Sequence, residues 1–161
     1  MSEFHITIPE ERHVLVEFQQ DNMPGLATIN GSLSRFEPKA VFAWHLSLMI
    51  QLKHLADRSM PSIAEQEEMY AFGDTLDTVF KGSDQDKPNA LFLARITWNG
   101  THELIYRVYD PELPNAYLIE LAKQDESPRP FDYRIDNDPA WELARWHMES
   151  AEHRAPPPME T

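Results

Sequence analysis

The chain has 161 residues, enough to bury an ordinary single-domain core without metals or disulfides, and it contains no cysteine. A disulfide framework and a thiol nucleophile are excluded, and any zinc site would have to use His and carboxylates. With 27 acidic residues against 14 basic ones, the net charge of −13 repels nucleic-acid backbones and anionic membranes.

The N-terminus carries no basic leader followed by an apolar run, and no window reaches the length of a membrane span, so a cytoplasmic protein is expected. Residues 12–19 alternate Val14, Val16 and Phe18 against more mixed neighbours, which predicts a strand. After the breaker run at 21–25, Leu26, Ile29, Leu33 and Phe36 fall at helical spacing and predict a helix over 26–36, closed by Pro38. Residues 41–52 put Phe42, Trp44, Leu46, Leu48, Ile50 and Leu52 on one face of a strand, with His45, Ser47 and Gln51 on the other. Ser62-Ile-Ala-Glu65 has the form of a capping box, and the helix behind it carries Met69, Phe72 and Leu76, with Gly82 as its stop.

Strands over 90–98 and 101–109 meet at Asn99-Gly100, a pair that tolerates the positive φ of a type I′ hairpin. Pro111 opens a helix with Leu113, Tyr117, Leu118 and Leu121 as its buried stripe. Phe131, Tyr133 and Ile135 alternate in a final strand, and Asp138-Pro-Ala-Trp141 starts a short helix over 138–148. Residues 149–161, with Pro156-Pro-Pro158, form an expected disordered tail. The triplets at Asn30 and Asn99 that match a glycosylation signal are read as coincidences with local structure.

From residue 41 the order is β-α-β-β-α-β. That predicts an α+β fold: a ferredoxin-like antiparallel sandwich over 41–136, with a β-α extension over 1–38 and the short terminal helix, all within one domain over 1–148. The order leaves open whether residues 12–36 extend the sheet or cover its outer face. The hairpin register puts Phe92, Ala94, Ile96 and Trp98 on one face with Thr101, Glu103, Ile105 and Arg107, away from the helices. Such a face is too apolar to stay wet, so the N-terminal segment, a second copy or a partner should cover it. Its candidate binding residues are His45, Trp98, Glu103, Arg107 and Arg134, with Glu103 and Arg107 read as rim ion-pair formers.

The histidines make no metal-binding pattern, and the acidic residues make no EF-hand loop. There is no phosphate-binding glycine loop and no nucleophile elbow, so neither a catalytic residue nor a cofactor is expected. The stretch ALFLARITWNGTHELIYRVYDPE, with FDYRIDNDPAWELARW, resembles the C-terminal half of the DUF695 family through Arg95, Thr97, Asn99, Gly100, Tyr106, Asp110, Pro111, Asp138, Pro139 and Trp141. The helix MPSIAEQEEMYAFGDTL resembles that family as well. The resemblance implies an uncharacterised bacterial domain, with a distant fold-level likeness to regulator B of ribonuclease E activity. The expected function is a non-enzymatic binding or regulatory domain that takes a protein partner or self-associates. An acidic inhibitor or immunity-type protein acting on a basic nuclease or toxin is the first alternative, and a small-ligand carrier or enzyme the second.

Overall fold

In the computed structural model, which describes residues 7–154, the first strand β1 (His13–Gln20) buries Val14 and Val16 and leaves His13, Leu15 and Glu17 exposed. It reverses at Asp21 and Asn22, whose φ values of 53° and 63° are the left-handed pair a two-residue hairpin requires. β2 (Met23–Asn30) returns antiparallel along the whole of β1. The helix expected over 26–36 is therefore a strand followed by one 3-10 turn at Gly31–Arg35. Its buried alternating face is Gly25, Ala27 and Ile29, with Asn30 buried at its end, and two of the three are too small to register as an apolar alternation. Phe18 fills the gap they leave: a Cβ on Gly25 would fall 2.1 Å from its ring. Residues 12–30 thus extend the sheet.

The remaining elements are β3 (Trp44–Gln51), α1 (Ile63–Lys81), β4 (Ala90–Trp98), β5 (Thr101–Val108), α2 (Glu112–Lys123), β6 (Phe131–Asn137) and α3 (Arg145–Arg154). All six strands join one antiparallel sheet in the order β1-β2-β4-β5-β3-β6. The protein is α+β. Its strand order as a whole differs from that of a four-stranded sandwich, because the β1–β2 hairpin is added beside β4. At the β4–β5 turn, Asn99 and Gly100 have φ of 47° and 79°, the type I′ geometry expected of that pair.

The sheet is packed on both faces. Leu46, Leu48 and Ile50 meet Met69, Phe72, Leu76 and Phe80 of α1 and Leu118 and Leu121 of α2 in one core. Val14, Val16, Ala27, Ile29, Leu93 and Ile105 form the other, under Leu33, Phe36, Phe42, Trp141, Ala144 and Ala151. Phe42 sits in this second core, opposite its expected side, because a 3-10 turn at Lys39–Phe42 precedes β3 and breaks the alternation. In α2, Pro114 is buried where Leu113 was expected; Leu113 is 57 % exposed.

Two further expectations fail for identifiable reasons. Leu93 is an extra residue in β4, so Leu91 pairs with Arg107 and Phe92 with Tyr106. This bulge moves Phe92 to the helix side and puts Leu91 and Leu93 on the opposite side, while Ala94 onward keeps the expected facing. The terminal helix begins later than residue 138: Trp141 has φ of 59°, a 3-10 turn follows at Glu142–Ala144, and α3 runs to Arg154. Residues 149–154 belong to that helix, with Ala151 fully buried, and 155–161 lie outside the described residues.

Candidate functional site

The outer sheet face, where the sequence places its candidates, is largely interior. Trp141 and α3 cover its centre, and Arg107 beneath them is completely buried. The Nη1 of Arg107 donates to Asp138 Oδ2 and His45 Nδ1, each at 3.0 Å, Nη2 to the Asp138 carbonyl, and Nε to the Phe42 carbonyl at 3.3 Å. The Trp141 ring lies 4.7 Å from the guanidinium. Four of five guanidinium donors are thus committed inside the protein, leaving little for a partner. His45 is equally committed: burial, reinforced by Arg107, lowers its pKa to about 4, so it is neutral and accepts from Arg107.

The other three candidates lie apart from this pair. Trp98 donates through Nε1 to the Gln20 carbonyl at 3.1 Å and thereby holds the tip of the β1–β2 hairpin. Glu103 accepts from Ser47 Oγ, not from Arg107. Arg134, on the outermost strand, is exposed and pairs with Asp136 at 3.3 Å. The expected rim ion pairs do not form: the ion pair of Arg107 is buried, with Asp138 delivered by the chain after β6, and Glu103 has none among the described residues.

Convergent chemistry appears on the helix side instead, where α1 spans the sheet near β1. A cavity of about 130 Å³ opens there, floored by Phe92, Leu104 and Met69. Arg95 enters it from β4, with its guanidinium 5.3 Å from the Tyr70 ring and 5.9 Å from the Phe92 ring. Among the described residues it makes no hydrogen bond or ion pair. His102, 5 % exposed, faces Thr97 across the β4–β5 ladder, with Nδ1 2.9 Å from Thr97 Oγ1. Its Nε2 has no partner among the described residues, and burial with nearby Arg95 lowers the ring pKa to about 4.

The opposite wall is a continuous polar chain. Tyr106 Oη donates to Asp77 at 2.6 Å, Lys81 bridges Asp77 at 2.9 Å and Glu11 at 2.8 Å, and Glu11 reaches His13 at 2.9 Å. Burial, with Asp77 alongside, pushes the Tyr106 phenol well above its ordinary range. Burial would raise Glu11, but Lys81 and His13 hold it below the usual carboxylate range. Gly73 and Asp74 of α1 form the rim, and a Cβ on Gly73 would meet nothing within 4 Å. A second recess of about 390 Å³ shares Glu11, Asp77 and Phe92 with this one, but its Glu11, Asp77 and Lys81 are already paired with one another.

The hairpin register that sends Ile96 and Glu103 to the outer face sends their neighbours Arg95 and His102 to the helix side. The missed signal is their spacing around the hairpin. Arg95 lies opposite Leu104 and Thr97 opposite His102, which brings an Arg and a His two residues apart on one face at the end of the helix layer. Among the described residues, no three His, Asp or Glu side chains gather to hold a metal ion.

No curated protein and no solved structure matches the chain. A family model matches residues 15–145, from β1 through the start of α3, and by that match the chain belongs to DUF695, a family of unknown function.

Proposed function

We propose that this protein is a non-enzymatic binding domain with a regulatory task, and that its ligand is a small anionic molecule held in the cavity beneath α1. One observation carries the reading. Among the described residues, Arg95 is half-buried without an anionic partner, its guanidinium beside the Tyr70 and Phe92 rings, and His102 Nε2 nearby has no partner. A guanidinium partly removed from water and left without an acceptor favours any carboxylate or phosphate that can reach it. The surrounding groups support binding over catalysis: Tyr106 is committed as a donor to Asp77, and its raised pKa removes it as a base near neutral pH.

The test is thermal stabilisation by a panel of small carboxylates and phosphates, comparing the native protein with Gly73→Leu, which fills the mouth, and with Arg95→Gln. Stabilisation lost in both variants is expected. Equal stabilisation of Gly73→Leu and the native protein would put the ligand elsewhere.

The partner reading is favoured by a different feature, the part of the outer face beyond α3. Met49, Ile96, Trp98 and Glu103 are half-buried there beside exposed Asp132 and Arg134. A strongly acidic chain with such a face suits a basic protein, as in an inhibitor or immunity role, or a second copy of itself, and disfavours nucleic acid and membrane. The cysteine-free composition suits the cytoplasm, and the local order β4-β5-β3-β6 supports a ferredoxin-like core within the larger sheet. A basic protein captured at low salt, and lost with Trp98→Asp, is expected; capture unaffected by Trp98→Asp would remove this face from consideration.

A further inference from the structure

We infer that the cavity ligand is a small zwitterion of the amino-acid class, its carboxylate on Arg95 and His102 and its ammonium on Asp74. The inference rests on the proposed function and adds the second charge. Among the described residues, two opposite charges at this cavity are without an ion pair, Arg95 and Asp74, whereas Glu11 and Asp77 are both paired with Lys81.

Both charges border one recess along α1: Arg95 is stacked on Tyr70, and Asp74 follows Tyr70 by one helical turn on the same helix face. An α-amino acid carries its carboxylate and ammonium on one carbon and so presents both charges within such a recess. Gly73, next to Asp74 and without a side chain, leaves the approach open.

Size and polarity agree with one small molecule. A volume of about 130 Å³ is about four times the roughly 30 Å³ share of one water, room for one small amino acid. The floor of Phe92, Leu104 and Met69 would take an apolar side chain, while the rim is polar. His102 adds a neutral ring whose Nε2–H donates to the carboxylate end, in the tautomer whose Nδ1 accepts from Thr97 Oγ1.

The experiment titrates the full-length protein with the twenty L-amino acids, their N-acetyl derivatives and the matching decarboxylated amines, read by calorimetry. At least one amino acid should bind, with affinity falling at least tenfold for both its N-acetyl derivative and its amine. Arg95→Gln should abolish binding, and Asp74→Asn should remove the preference for the free amino acid over its N-acetyl form. Both variants change half-buried or exposed positions and should fold, as far-ultraviolet circular dichroism would verify. An N-acetyl derivative binding as tightly as its parent would overturn the zwitterion assignment while leaving an anion site in place. Failure of every amino acid to bind would overturn the zwitterion assignment, and failure of the small carboxylates and phosphates of the thermal panel as well would overturn the anion site.

Discussion

Arg107 shows how a residue chosen for surface chemistry can belong to the interior. Its alternation with Glu103 and Ile105 correctly puts it on the outer face of β5, but that face is capped by Trp141 and α3. Burial would raise Asp138, yet the Leu143 backbone N–H, Arg107 and the Glu142 backbone N–H hold its carboxyl below the usual range. Removing one member of such a pair strands the other in low dielectric, so Arg107→Ala should cost about 3–5 kcal/mol in chemical denaturation. A loss below about 1 kcal/mol would mean that the site is wet. Asn30 is similar: its side chain donates to the Phe92 carbonyl at 3.0 Å and is 2 % exposed, so its triplet serves the fold.

At the scale of elements, the capping box at the start of α1 is half formed. Ser62 Oγ accepts from the Glu65 N–H at 3.2 Å, but Glu65 turns away to accept from Lys53 N at 2.6 Å and from Arg129. Those Arg129 bonds, against burial, bring Glu65 down to about 2. Ser62→Ala should therefore cost about 1 kcal/mol, the value of one cap, by urea unfolding. Gly73→Ala should do the reverse and raise stability by about 1 kcal/mol, because the site is helical and open; a drop would show that the mouth is tighter than it looks.

These elements also show what was legible. Strong period-two runs, as in β3, and apolar stripes, as in α1, announce themselves. β2 did not, since Gly25 and Ala27 hide its buried side, nor did the bulge at Leu93, which leaves no mark in composition. The cavity was half legible: β4 and β5 gave the facing of Arg95 and His102, but only tertiary packing shows that α1 supplies Tyr70 and Asp74.

For the whole molecule, acid should loosen the fold in two stages. Burial lowers His45, His102 and His147 to about 4, with His147 Nδ1 lacking a well-formed hydrogen bond; the Ala144 carbonyl only partly opposes this. Their folded pKa values lie below the unfolded value near 6.5, so the unfolded chain binds more protons between about pH 6.5 and 4. Stability is complete above pH 6.5 and falls through that window. The lowered carboxyls of Glu65, Asp138 and Glu11 then extend the loss to lower pH. The melting temperature should drop from pH 7.5 to 5, and less steeply in His147→Leu; parallel slopes would mean that His147 does not titrate with folding.

The proposed division of roles is one of place, with ligand chemistry under α1 and a structural Arg107 on the outer face. It is tested most directly by nuclear magnetic resonance, following the Arg95 Nε–Hε and His102 ring signals of nitrogen-15-labelled protein during titration with small carboxylates. The account predicts that these two signals move together and saturate while Arg107 stays fixed. Movement of Arg107 or Arg134 with Arg95 unmoved would contradict it.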